Sequence, residues 1–289
     1  FCGDDIVEAA ENISRRKPGR QSILFGYGVE VVPIRTVTLP PADHTNCYLL
    51  GDPDGEFIIV DPAVVYREDM EALAEAVDRH NGTPIAVAYT HSHSDHLADD
   101  DLLKEAFDLP VWGSEYTARS VHCDRILQTG EVLQLGKQKW RIIITHGHHP
   151  GHVCFAGESG LIAGDMVAGF GTILIPPATG DMDLYIEELA QLRDLAPHLL
   201  FPSHGPVIAL PQKKLTHYIQ HRRSRHEKVL QAVQSGLFEL ENIAIKAYED
   251  TPGAHPGLAK DQTLAHLLSH QRRGKISKDD SNNWHASID

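Results

Sequence analysis

The segment THSHSDH, residues 90 to 96, constrains this chain more than any other. Three histidines and an aspartate fall within seven positions, directly after the apolar run PIAVAY, so four donor side chains occupy one turn at the end of a predicted strand. A solvated polar loop has no need of four such donors, and a single catalytic histidine uses only one. Binding of divalent metal accounts for all of them. In an extended turn His91 and His93 project to the same side and can share one ion. Asp95 and His96 point differently and can serve a second ion close by. A helix expected from LADDD onward would hold that end of the turn rigid, as a ligand set requires.

The surrounding pattern predicts an α/β architecture. Residues 1–28 read as a polar N-terminal extension, with DIVEAAENI as one short helix and SRRKPGRQS as a loop. From residue 29 strand-like segments follow quickly: VEVVPIRTVTL, NCYLLG and EFIIVDPA, the last two joined by the turn chemistry of GDPDGE. REDMEALAEAVDRHNG has helical spacing, early acids and an Asn-Gly stop. PIAVAYT reads as a buried strand, LADDDLLKEAF as a helix, LPVWGS as a strand and YTARSVHC as helical. EVLQLGKQKWRIIIT and HVCFAGESGLIAGDMV each read as two strands around a turn. DLYIEELAQLRDLAP is a helix closed by proline, and HLLFPSHG a last strand. Strand pairs, then helix and strand in alternation, then strand pairs again suggest two mixed sheets sandwiched by helices over residues 29–210. Residues 211–289 change character. One long helical stretch, PQKKLTHYIQHRRSRHEKVLQAVQSG, is followed by two shorter helices and a terminal hairpin, which predicts a compact appended domain of winged-helix type.

Two ions need more donors, and the sequence supplies them just past other predicted strands: THGHHPGH after WRIII, Asp165 in AGDMV, and His204 in SHG after LLFP. The series H-x-H-x-D-H, T-x-G-H, G-D and S-H-G resembles the metallo-β-lactamase superfamily. That resemblance implies an αββα sandwich with a dimetal site at one edge of its sheets. It assigns His91, His93 and His148 to one ion, Asp95, His96 and His204 to the other, and Asp165 as a bridge between them. Asp61, ending the strand FIIVD, would orient a ligand histidine. Among the four histidines of THGHHPGH, the family pattern selects His148. His152 is expected behind the ligands or facing substrate, and His146 and His149 as bystanders. Classical β-lactamases carry cysteine or another residue where Asp165 stands, which argues against hydrolysis of antibiotics.

The chemistry implied is hydrolysis. Two divalent ions bridged by a carboxylate and a water lower the pKa of that water, and the resulting hydroxide attacks a carbonyl or phosphoryl centre with Asp95 and Asp165 at hand. Zinc, iron and manganese all suit these donors, with zinc placed first. No G-x-S-x-G motif offers a competing nucleophile. TNCYLLG, FPSHGPVI and YIQHRRSRHEKVLQAV further resemble the lactamase-beta-2-like branch, whose animal members are similar to endoribonucleases specific for single strands. Single-stranded RNA or another phosphodiester is therefore one expected substrate, with Tyr218 available for stacking and Arg222 and Arg223 for phosphates. Against it stands a net charge of -14, which repels polyanions. Equally, Arg222, Arg223 and Arg225 could pair with acidic residues between the two domains. GHHPGHVCF resembles glyoxalase II and makes a small-molecule thioester or ester the alternative substrate. A third reading, a non-catalytic metal-binding regulator, leaves the full ligand set without a use. No stretch reaches the ~20 apolar residues of a membrane span, and no charged-then-apolar leader precedes the body. The four cysteines, Cys2, Cys47, Cys123 and Cys154, lack CxxC spacing and read as free thiols. A cytoplasmic enzyme is expected, and the appended helices could mediate homodimerisation.

Overall fold

The computed structural model describes residues 22–24 and 28–287; the expected helix DIVEAAENI and all of the loop SRRKPGRQS except Ser22 lie outside the described residues. Seven strands form the first sheet: β1 (Ile23–Leu24), β2 (Val29–Arg35), β3 (His44–Gly51), β4 (Glu56–Val60), β5 (Thr83–Ala88), β6 (Val111–Gly113) and β7 (Arg125–Ile126), in that spatial order. The second sheet runs β12 (Leu200–Pro202), β11 (Gly160–Gly164), β10 (His152–Gly157), β9 (Gln138–Thr145), β8 (Val132–Leu135). Both sheets are mixed. β1 to β4 pair antiparallel and β4 to β7 parallel, while β11 and β12 form the parallel pair of the second sheet. The β3–β4 hairpin closes through an Asx turn, Asp52 Oδ1 accepting from the Asp54 N–H at 3.1 Å.

Strands buried on both faces explain the continuous apolar runs in the sequence. Along β3, Tyr48 and Leu50 enter the core between the sheets, whereas Cys47 and Leu49 enter a separate outer layer. β4 repeats the alternation, with Ile58 and Val60 inward and Phe57 and Ile59 outward, and in β5 Ala86 and Ala88 face in while Val87 faces out. Trp140 and Phe155 fill the central layer and are fully buried. Against the outer face of the first sheet pack α1 (Arg67–Arg79) and α2 (Asp100–Ala106), which contribute Leu73, Ala76 and Leu103. Against the second sheet pack α3 (Met182–Asp194) and the first half of α4 (Pro211–Gln234), through Tyr185, Leu189, Leu215 and Ile219. The result is a four-layer αββα sandwich.

α4 begins directly at the expected boundary, residue 211, and its first half still packs on the sandwich. Its second half joins α5 (Leu240–Ala247), α6 (Pro256–Arg272) and the hairpin β13 (Ile276–Lys278) and β14 (Trp284–Ala286), where Val229, Val233, Ile243, Leu267 and Trp284 form a further core. YTARSVHC, expected to be helical, makes only a single 3-10 turn at Thr117–Arg119, because the chain must then re-enter the sheet at β7. Among the described residues no helix is long and apolar enough to cross a membrane.

This topology creates one edge where chain ends gather. β4 and β5 run parallel and end together, Val60 beside Ala88; β11 and β12 do likewise, Gly164 beside Pro202. β9 and β11 flank the antiparallel β10, so they too end on the same side. The sheets are tied there by Val153 N–H donating to the Thr90 carbonyl at 2.7 Å and Asn46 N–H to that of Ser203 at 2.7 Å.

Candidate metal centre

Five strand ends each deliver a polar side chain to this edge: Asp61 after β4, the THSHSDH turn after β5, His148 after β9, Asp165 after β11 and His204 after β12. Asp61, in a left-handed conformation at φ 49°, sits beneath the turn. Its Oδ1 accepts from the Thr90 N–H at 2.7 Å, and its Oδ2 accepts from Thr90 Oγ1 at 2.6 Å and from His96 Nδ1 at 2.9 Å. One carboxylate thereby fixes both ends of the turn. It also assigns the His96 proton to Nδ1 and leaves Nε2 facing Asp95 Oδ1 at 3.9 Å and Asp165 Oδ2 at 3.7 Å, with no hydrogen-bond partner. Thr45 Oγ1 donates to the Asp95 carbonyl at 2.6 Å and closes the far side.

Three further imidazoles converge with their nitrogens almost in contact. His91 Nε2 lies 2.8 Å from His93 Nδ1, and His148 Nε2 lies 3.3 and 3.2 Å from those two atoms. His148 Nδ1 donates to the Leu174 carbonyl at 2.9 Å, so its Nε2 carries a lone pair. The loop before it is held by α3: Glu188 accepts from the N–H groups of His146 at 2.7 Å and Gly147 at 2.8 Å. Asp165 is set from below by His152, whose Nε2 accepts the Asp165 N–H at 3.0 Å while Nδ1 meets Thr145 Oγ1 at 3.2 Å. His204 Nδ1 donates to the His44 carbonyl at 3.1 Å, and its Nε2 stands 3.4 Å from both Asp95 Oδ2 and Asp165 Oδ1.

The seven donors thus form two adjoining groups, His91, His93, His148 and Asp165, and Asp95, His96 and His204, in each of which the ligand atoms lie within 4.8 Å of one another. Asp165 reaches both, through the contacts to His148 and His204. The electrostatics differ between them. Burial and then the neighbouring imidazoles push His93 down to about 3; burial also carries His148 down to about 4 and His91 well below its ordinary value. In the second group burial also opposes charge, but Asp165 and Asp95 outweigh it and lift His204 to about 10, and Asp165 and Asp61 lift His96. Asp95 and Asp165 are correspondingly depressed by those imidazoles against the effect of burial. Lone pairs converging at such distances, together with the buried and unpartnered His96 Nε2, fit a pair of divalent cations: imidazole and carboxylate are their donors, and a cation removes the repulsion.

The centre opens into a cleft of about 920 Å³ lined by His93, Asp95, His148, Asp165 and His204. Much of its wall is hydrocarbon, from Val37, Leu39, Phe170, Ile173 and Leu258 among others. The expected substrate residues require correction. Tyr218 cannot stack on a base: it is 1 % exposed, and its hydroxyl accepts from Ala168 N–H at 3.0 Å and donates to the Gly171 carbonyl at 2.9 Å. Arg223 is exposed but does not line the cleft. Arg222 does line it, yet is 1 % exposed, and both its terminal nitrogens are already engaged, with Gln262 Oε1 at 2.7 Å and with the Ile173 carbonyl. Arg225 pairs with Asp250 at 2.9 Å, within the C-terminal segment and not across to the sandwich. His146 and His149 stand outside both donor groups; His146 Nδ1 accepts from Gly151 N–H at 3.1 Å, and the His149 ring lies 4.8 Å from that of His93. Glu188 and Gln262 carried no sequence signal. Arg222 did, since positions 215, 218, 219, 222, 225 and 229 fall on the one buried stripe of α4.

The chain belongs to the metallo-beta-lactamase superfamily, whose family model matches residues 40–204 and whose members are hydrolases. It is 31% identical over 161 residues to a hydroxyacylglutathione hydrolase of Serratia proteamaculans, a match spanning 55% of this chain and 61%, less than two thirds, of that relative. It is 27% identical over 250 residues to a beta-lactamase-like protein 2 homolog of Drosophila melanogaster, across 80% of this chain and 84% of that one. In three dimensions it resembles a beta-lactamase domain protein from Burkholderia ambifaria, with a TM-score of 0.81 at 21% identity over 95% of this chain and 96% of the other.

Proposed function

We propose that this protein is a dinuclear metal hydrolase that cleaves a small thioester or ester. His91, His93 and His148 would hold one ion, Asp95, His96 and His204 the other, and Asp165 would stand between them. When bound, such a pair supplies an activated water and polarises the scissile carbonyl. The chain's own groups do the rest. Asp61 and His152 hold His96 and Asp165 in orientation. Asp95, whose side chain is 15% exposed against 9% for Asp165, presents the more open carboxylate and would accept the proton of the attacking water.

The observation that carries the substrate reading is the cleft itself. Its hydrocarbon walls suit an acyl chain, whereas the arginines that a polyanion requires are turned inward at Arg222 and Arg225. Similarity to a protein named for hydrolysis of hydroxyacylglutathione supports the same reading. The test is a parallel assay of the zinc-reconstituted protein on S-acyl glutathione, a short acyl ester, single-stranded RNA, a generic phosphodiester and a chromogenic cephalosporin. Turnover of the thioester or ester, lost in Asp165→Ala, is expected. Cleavage of RNA without thioester or ester turnover would contradict the substrate reading and restore the nucleic-acid one.

A further inference from the structure

The stretch from Ile173 to Ile175 has no regular secondary structure, yet it is buried or half-buried beside the centre. Buried backbone outside helix or sheet must find its hydrogen bonds elsewhere, and here they come from opposite directions. The Leu174 carbonyl accepts from His148 Nδ1. The carbonyls on either side of it turn away, toward α4 and α6: that of Ile173 accepts from Arg222, and that of Ile175 from Gln262 Nε2 at 2.9 Å. Ile175 N–H donates in return to Gln262 Oε1 at 3.3 Å. Gln262 therefore meets both polar groups of one residue, as a neighbouring strand would. Because Oε1 must also accept from Arg222, the amide has only one orientation.

Arg222 is an expensive residue to hold there. It is 1% exposed, its Nε has no hydrogen-bond partner, and among the described residues it has no carboxylate partner. Burying an unneutralised guanidinium is unfavourable and calls for a reason. A planar fork reaches Gln262 and the Ile173 carbonyl with two separate nitrogens, whereas a lysine offers a single one.

We infer that Arg222 and Gln262 are positioning residues for the metal centre: they fix the Ile173–Ile175 segment from the C-terminal helices, and the Leu174 carbonyl then holds the proton of His148 on Nδ1. The inference rests on the dinuclear reading of the site. Release of the segment would free His148 to take the other tautomer, with a proton on Nε2 where a lone pair is needed to bind metal. The C-terminal helices are in this sense part of the centre, although none of the seven donors comes from them.

The test is cobalt(II) titration of the full chain, followed by visible ligand-field absorption, in the wild type, Gln262→Ala and Gln262→Glu. Thermal melts of the metal-free proteins run alongside. Gln262→Glu keeps the volume and the acceptor for Arg222 but loses the donor to Ile175. We expect one of two cobalt equivalents to bind about 10–100-fold more weakly in Gln262→Ala, with an altered spectrum at that site and the second equivalent unchanged. Gln262→Glu should fall between that variant and the wild type, and it carries the test if the alanine variant fails to fold. Folded variants that take up both equivalents with wild-type affinity and spectrum would overturn the inference alone. A wild type that binds no cobalt would overturn the dinuclear reading, and the inference with it.

Discussion

Asp61 shows how much one side chain settles here: three donors converge on it, and the orientation of the His96 ring follows. The same logic gives a titration prediction. In the metal-free protein His204, at about 10, and His96, also raised, hold protons at neutral pH, whereas His93 at about 3 and His148 at about 4 do not. Coordination requires unprotonated nitrogen, so uptake of metal at pH 7 should release about two protons, one each from His96 and His204. Affinity should therefore rise with pH toward about 10. Calorimetric titration in buffers of different ionisation enthalpy measures the release; none at all would contradict the assignment. Glu188 titrates in the opposite sense to a paired carboxylate. Burial raises it from 4.5 to about 7 against the two backbone N–H groups it accepts, so its folded form prefers the proton. The stability this contributes is fully present below 4.5 and lost as pH rises through about 7. Relative to Glu188→Gln, the metal-free wild type should lose on the order of 2 kcal/mol of unfolding free energy between those limits, read by urea denaturation. A difference independent of pH would refute it.

At the scale of elements, α3 and the loop after β9 pack so closely that only glycine fits at 147. A Cβ there would lie 2.2 Å from the Tyr185 backbone. Gly147→Ala should cost about 1–3 kcal/mol in denaturant unfolding and loosen the loop that presents His148; an unchanged midpoint would show that the helix yields without cost. Legibility in the sequence followed similar lines. The elements with strong periodicity or double-sided burial could be read, including the β3–β4 hairpin and the strand before His91. The short β1 and β7, with two residues each, carry too little pattern to detect. THSHSDH was legible because its donors are crowded, whereas His148 stood out from three other histidines in its loop only through resemblance to a family. The basic composition of α4 points Tyr218 and Arg222 toward a substrate, whereas its periodicity does not. Their spacing from Leu215 and Ile219 places them on the buried stripe. Gln262 and Glu188 act through partners 87 and 42 residues away in sequence, a proximity that no local pattern contains.

For the molecule as a whole, two sheets with matched strand ends bring together seven side chains spread over more than a hundred residues, and helices outside the sandwich stiffen the result. The central claim is that this assembly holds a pair of ions, and its most direct measurement is elemental analysis of the purified protein after reconstitution with zinc and removal of excess. Close to two equivalents per chain are predicted, falling in Asp165→Ala with the fold retained by circular dichroism. Less than one equivalent in the folded wild type would contradict the account.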